Sequence, residues 1–246
     1  MSWPGGYGRR VLAEVDSTNA EAARLADTLA GPEWICALRQ TAARGRRGRP
    51  WANPPGNFAA TLVFRPEGDA RQVALRSFVA ALALYDALAS LTRAEAALSL
   101  KWPNDVLLSG GKVAGILLEY PAGPGGPLAI GVGVNLIAAP GAEAVEPGAV
   151  PPVSVLAETG VRLSPEGVLD ALAEAYARHE GALVTYGFGP IREAWLARAA
   201  RVGEVITART GREERRGTFE TVDDDGNLVL KTAEGRVRIA AADVFF

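Results

Sequence analysis

Nine residues, ARGRRGRPW at 43 to 51, hold four arginines and two glycines. Arg44, Arg46, Arg47 and Arg49 each present five N–H donors in a fixed fork that suits carboxylate or phosphate oxygens. Gly45 and Gly48 let the backbone bend, so that its own N–H groups can also reach an anion. No hydrophobic face can form here, so the segment is a loop, and it reads as an anion clamp. Two other readings stay open at this point: a solvated charged loop and an Arg/Gly segment that binds nucleic acid. Four mutually repelling arginines with no apolar anchor before Trp51 also predict a loop that is mobile until an anion orders it.

A second cluster, LKWPNDVLL at 100 to 108, sets Lys101, Asn104 and Asp105 around a bend at Pro103 just past a strand. Sheets of α/β type build their sites at strand ends and in the loops beyond; a plain Pro-Asn-Asp turn packed over Trp102 is the bland alternative. GGKVAGILLE at 110 to 119 places Lys112 at the start of a strand with Gly115 inside it. IGVGVNL at 130 to 136 adds Gly131 and Gly133 and leads to Asn135. Glycine weakens a strand interior and so marks the close approach of a ligand or another backbone, and two in one buried strand leave a slot. A dinucleotide-type GxGxxG fails here, because no third glycine opens a helix. Lysine is rare: Lys101 and Lys112 lie in these clusters, and the third, Lys231, falls in an ordinary hairpin.

Hydrophobic periodicity and turn residues predict the elements that carry these groups. Strands are expected at 11–15, 33–39, 57–64, near 97–101, and at 106–108, 113–119 and 128–134, with a turn at 121–127. A helix over 17–30 would start at a Thr18/Glu21 capping box and stop at Gly31-Pro32. A mostly apolar helix is expected at 73–91. The Pro/Gly-rich span 139–152 separates this half from a helical one: Ser164-Pro165 opens a helix, and another begins after Pro190, burying Ile191 and Trp195. From Val202 four short strands with DDDGN and AEG turns predict a small β-barrel.

Composition bounds the rest. The chain has 246 residues, 48% hydrophobic and 22% charged, as in an ordinary globular protein. A net charge of −2 argues against a dedicated DNA-binding protein, so the local positive charge suits a small anion. The single cysteine, Cys36, allows no intrachain disulfide; it is expected in the core and the protein in the cytoplasm. The N-terminus lacks a signal-peptide core, and the apolar run 78–91 is too short to span a bilayer and carries Asp86. His179, the only histidine, is expected at the surface, which leaves no histidine triad or zinc site; no metal ligands are assigned.

In combination, DSTN at 16–19, Gln40, the arginine loop, KWPND, GGKVAGILLE and IGVGVN closely resemble the biotin–protein ligases, from about Val11 to the C-terminus. The resemblance implies an α+β fold, in which a mixed β-sheet catalytic domain with flanking helices (residues 1–200) precedes an SH3-like β-barrel (201–246). It implies activation of biotin by Mg-ATP to biotinyl-5′-AMP, then transfer to a lysine of a biotin carboxyl carrier domain, with ATP and Mg²⁺ required. Ser17, Thr18 and Asn19 would bind the ureido ring, and Gln40 matches the glutamine before the loop. Arg44, Gly45 and Arg46 would fold over biotin and the adenylate, with Arg49 on phosphate and Trp51 near adenine. Lys101, Asn104 and Asn135 match nucleotide-side positions, and Lys112 the lysine bridging the biotin carboxylate and α-phosphate. Gly115, Gly131 and Gly133 would wall the biotin slot. Lys112, Arg46 and Asp105 are the catalytic candidates, Asp105 as the group that receives the incoming lysine ammonium. Ala43 and Pro50 depart from the family, which has glycine and a polar residue there; altered loop kinetics are the expectation. Ten residues before Val11 leave no room for the winged helix of repressor relatives, so DNA is not expected as a partner; nor is a membrane, and a homodimer is left open. Lipoate–protein ligase is the nearest enzymatic rival, and a nucleic-acid-binding module the rival from another class.

Overall fold

The computed structural model describes residues 2–120, 125–141, 145–146, 148–211 and 213–246. A seven-stranded mixed sheet is formed by β1 (Gly8–Leu12), β2 (Glu33–Ala37), β3 (Phe58–Phe64), β4 (Leu98–Lys101), β5 (Asp105–Leu108), β6 (Gly111–Glu119) and β7 (Leu128–Val134), in the order β1-β2-β3-β7-β6-β5-β4. Only β1 and β2 pair in parallel; the other ladders are antiparallel. Every residue of β3 is buried, as befits a strand covered on both faces.

Side-chain alternation divides those faces. Trp34 and Cys36 of β2 and Leu62 and Phe64 of β3 join the main core, whereas Ile35 and Val63 join a small second core with Ala22 and Ala129. The main core is roofed by helices that follow α2 (Ala70–Ala74), a short turn held by an Asp69/Gln72 capping box. These are α3 (Arg76–Thr92) and, after the short α4 (Val155–Thr159), α5 (Pro165–Tyr186), whose first turn Ser164 caps by accepting from the Gly167 N–H. Tyr176 of α5 meets Trp34 and Phe64 edge to face, with centroids 5.9 and 6.4 Å apart. The helix α1 (Thr18–Leu25) covers the second core, on the opposite face. Polar groups at the start of α1 therefore lie over the glycine-bearing strands and away from the apolar layer.

After α6 (Phe188–Leu196) the chain enters a five-stranded antiparallel sheet: β8 (Val205–Arg209), β9 (Glu214–Val222), β10 (Leu228–Thr232), β11 (Gly235–Ile239) and β12 (Asp243–Phe245), ordered β11-β10-β9-β8-β12. Its order fits an SH3-like unit, although β11 and β12 do not pair, so the ladders do not close a barrel. The two sheets share one core. Ile206, Ala208 and Phe219 belong to the same cluster as Trp195 and Phe78, and the Trp102 indole donates to the Gly226 carbonyl at 3.1 Å.

Several sequence expectations need correction. β1 runs over Gly8–Leu12, and Val15 makes only an isolated bridge to Gln40; an exposed edge strand needs no apolar alternation, so its pattern carried no signal. The Thr18/Glu21 capping box does not form: Ser17 is the N-cap without a side-chain bond, Thr18 turns to Gln40 and Glu21 pairs with Arg24. α6 starts at Phe188, before Pro190, because a proline is tolerated in a first turn. His179 is only partly exposed: its side chain is 17% exposed and lies 2.8 Å from Asp86 of α3. Cys36 is fully buried, as expected. Of the expected 121–127 turn, residues 121–124 lie outside the described residues, as do 142–144 and 147 of the Pro/Gly-rich span.

Candidate active site

A cleft of about 610 Å³ opens on the α1 side of the large sheet and reaches β12 of the small one. Five cationic side chains, Arg44, Arg46, Arg49, Lys101 and Lys112, and three anionic ones, Asp105, Glu146 and Asp243, line it. The chain as a whole carries −2, so the positive excess is concentrated where an anion would enter.

Asp105 forms the electrostatic centre. The β4–β5 turn, with a cis bond at Trp102-Pro103, pairs Lys101 with Asp105, and the next ladder pairs Asp105 with Gly115. The carboxylate lies 2.7 Å from Lys112 Nζ through Oδ1 and 3.6 Å from Lys101 Nζ through Oδ2. Burial alone would push its pKa up, but Lys112, Lys101 and the more distant Arg46 outweigh that, and the carboxyl is held below its usual range. Burial pushes the Lys101 ammonium down, which Asp105 offsets only in part. Lys112 is pinned along its backbone: its N–H donates to the Pro151 carbonyl and its own carbonyl accepts from Val153. That close packing requires Gly111, where a Cβ would fall 2.3 Å from Val153 Cγ1. Lys112 Nζ, 30% exposed as a side chain, remains able to reach a ligand.

At the other end of the cleft, α1 presents Ser17, Thr18 and Asn19, all buried. Gln40 Oε1 accepts from the Thr18 N–H at 2.8 Å and lies 3.1 Å from the Thr18 hydroxyl, leaving the Gln40 NH₂ for the cleft. The Thr61 hydroxyl donates to Asn19 Oδ1 at 2.6 Å, and Asn19 Nδ2 donates to Glu119 at 2.7 Å. Asn19 fills the space over Gly131, where a Cβ would sit 2.2 Å from Oδ1. Trp51 likewise fills the space over Gly133 and lies against Gly115, with Lys112 Nζ 5.7 Å from its ring. The three glycines are thus a floor on which Asn19 and Trp51 rest.

The arginine loop is a small hairpin. Arg44 bridges Pro50, the Gly45 N–H donates to the Arg49 carbonyl at 2.7 Å, and the Trp51 N–H donates to Ala43 at 3.0 Å. Arg47 turns the tip at φ 57 beside Gly48 at φ 71. The sequence argument that nothing anchors these arginines is corrected by β12: Asp243 meets Arg47 at 2.7 Å, Arg49 at 2.8 Å and Arg46 at 3.6 Å. Arg46 also reaches Asn104 Oδ1 at 3.4 Å. Asn135 donates to the Val153 carbonyl at 3.1 Å, while its Oδ1 is buried and unpaired. An acceptor left so in a cleft is suited to an incoming N–H.

The structure brings to this one cleft every residue that the family resemblance assigned, whereas Arg47 of the expected clamp lies outside it, on Asp243. Thr61, Glu119 and Asp243 were missed. Thr61 is hidden in an apolar strand run, and Glu119 and Asp243 look like ordinary solvated acids until their partners, distant in sequence, are known.

Residues 10–135 match the Biotin/lipoate A/B protein ligase family, and residues 202–246 match the Biotin protein ligase C terminal domain. A biotin–[acetyl-CoA-carboxylase] ligase of Paracoccus denitrificans is 60% identical over 96% of this chain and 99% of its own. A bifunctional ligase/repressor of Bacillus subtilis is 30% identical over 94% of this chain and 71% of its own. Among solved structures, the biotin protein ligase from Aquifex aeolicus in complex with biotin and ATP superposes with a TM-score of 0.79 at 24% identity, covering 96% of this chain and 97% of that one.

Proposed function

This chain belongs to the biotin/lipoate A/B protein ligase family, and from that premise we propose how its cleft works as an ATP-dependent biotin–protein ligase acting on a biotin carboxyl carrier. The observation that carries the reading is Lys112, held 2.7 Å from Asp105 at the edge of the glycine floor, between the polar pocket of α1 and the arginine hairpin. Such a cleft offers polar groups for a urea, the Lys112 ammonium for a carboxylate, and guanidinium groups for phosphate.

Biotin lies with its ureido ring toward Ser17, Thr18, Asn19 and Gln40, against Asn19 and Trp51 where these rest on Gly131, Gly133 and Gly115, and its carboxylate reaches Lys112. ATP lies with its phosphates toward Arg46 and Arg49 and its adenine toward Asn135, Asn104, Lys101 and Trp51. The carboxylate attacks the α-phosphorus, the bond to the β-phosphate breaks, and pyrophosphate leaves. The carrier lysine then attacks the anhydride carbonyl and AMP leaves. Both steps build negative charge on oxygen, so fixed cations do the catalysis: Lys112 bridges carboxylate and α-phosphate, and Arg44, Gly45 and Arg46 cover the adenylate. Asp105, Glu146 and Asp243 already face lysines or arginines, so Mg²⁺ comes in on the nucleotide's own phosphate oxygens as part of the substrate.

Asp105 has one oxygen on each of two lysines, which fits a residue that positions Lys112; receiving the carrier lysine would require one of them to leave. The proposed division places the catalytic unit in residues 1–200 and the C-terminal unit in 201–246, with the enzyme in the cytoplasm. Biotin-dependent release of pyrophosphate from ATP, followed by labelling of a carrier domain but not of its Lys→Arg variant, tests the reading. Equal pyrophosphate release with lipoate in place of biotin would refute it.

A further inference from the structure

Glu119 is the last residue of β6, across the ladder from Ala129. It does not line the cleft, yet its two carboxylate oxygens face two parts of the site. Oε2 accepts from Asn19 Nδ2 at 2.7 Å, and Oε1 stands 3.6 Å from an Arg44 nitrogen. A carboxylate only accepts hydrogen bonds, so the end of the Asn19 carboxamide turned toward Glu119 must be its NH₂. The opposite end is then the carbonyl; the fully buried Thr61 hydroxyl gives its single proton to it at 2.6 Å and accepts from the Thr18 hydroxyl at 2.8 Å. Wedged over Gly131, the amide is fixed in one of its two orientations by a pair of residues that do not line the cleft. Its second N–H remains for the cleft.

We propose that Glu119, backed by Thr61, is a positioning residue that fixes Asn19 as a hydrogen-bond donor toward the ureido oxygen of biotin and tethers Arg44 of the arginine loop to that anchor. The inference rests on the biotin-ligase reading. The two contacts are unequal: the bond to Asn19 is short and charge-assisted, while the approach to half-exposed Arg44 is long and screened. Orientation of Asn19 is therefore the larger effect.

The test uses the full chain and three variants: Glu119→Gln keeps an acceptor for Asn19 but removes the charge before Arg44, Glu119→Ala removes both, and Thr61→Val removes the buried donor at constant shape. Dissociation constants for biotin and for 2-iminobiotin, whose urea oxygen is replaced by an N–H donor, are measured by titration calorimetry, and KM for ATP by pyrophosphate release. Wild type should prefer biotin. Glu119→Ala and Thr61→Val should weaken biotin binding roughly tenfold, the scale of one lost hydrogen bond to a charged or buried group. They should also narrow the biotin/iminobiotin ratio, because a freed amide can turn its carbonyl outward. Glu119→Gln should cost only about two- to threefold, as expected for a screened pair, and KM for ATP should not move. Unchanged biotin affinity, an unchanged ratio, or a parallel rise in KM for ATP would each overturn the proposal while leaving the biotin-ligase reading intact. Absence of biotin binding by the wild type would overturn both.

Discussion

Asp105→Asn strands a cation. Asp105 is 7% exposed and Lys101 8% exposed, so removing the carboxylate charge leaves the Lys101 ammonium buried with only the weaker influence of Asp243, whereas Lys112 can swing toward water. Breaking a buried pair in this way costs about 3–5 kcal/mol. A ceiling follows from Lys101 itself, which can lose its proton instead. From a reference value near 10.4, deprotonation costs about 4.6 kcal/mol at pH 7 and about 1.9 at pH 9. The expected loss is therefore about 3–4.6 kcal/mol at pH 7 and under about 2 at pH 9. The direction with pH follows from proton counts. The variant's folded state holds Lys101 with a pKa below that of the unfolded chain. Between the two values the unfolded chain binds more protons, and stability rises with pH. Equilibrium denaturation of variant and wild type at both pH values measures the difference, and thermal unfolding should show a drop of about 6–18 °C at pH 7. Adding Lys101→Met should recover much of the loss, since the stranded charge is gone. A loss below about 1 kcal/mol at pH 7, or an equal loss at pH 7 and 9, would refute the claim that burial of Lys101 depends on Asp105.

Lys112→Ala leaves Asp105 paired with Lys101, so the fold should persist while adenylate formation slows by on the order of a hundredfold or more, the scale of one lost electrostatic contact in the transition state; near wild-type pyrophosphate release at saturating biotin and ATP would remove its assigned role. Asp243→Asn withdraws the charge shared by Arg46, Arg47 and Arg49 and should speed hydrogen exchange at the Gly45 and Trp51 amides, which close the hairpin. Unchanged exchange there would show that the hairpin stands without β12. Burial pushes the Cys36 thiol up to about 12, so a thiol reagent at pH 8 should leave it untouched in the native protein and modify it at once in denaturant. In acid, the depressed Asp105 carboxyl contributes stability that is present above its unfolded value near 4 and lost as pH falls through its lower folded value; Asp105→Asn should flatten that limb of the stability curve.

Local chemistry made much of the protein legible in its sequence. Arginines interleaved with glycines cannot pack, and glycines inside an apolar strand leave space that something must use, so the loop and the floor could be found without coordinates. Ser164-Pro165 set a helix start for the same reason, because capping is decided within one turn. What the sequence left undecided are partners brought together across long separations. Asp243 lies about two hundred residues from the arginines it gathers, and in β12 its neighbours give no sign of them. Glu119 and Thr61 reach Asn19 only because β6, β3 and α1 meet on one face of the sheet, and His179 at the edge of the surface finds Asp86 on a neighbouring helix. A hydrogen bond or ion pair depends on distances of a few ångströms and leaves no period in the sequence. Periodicity assigned the elements and their buried faces, and the packing of those elements then determined which charges would meet.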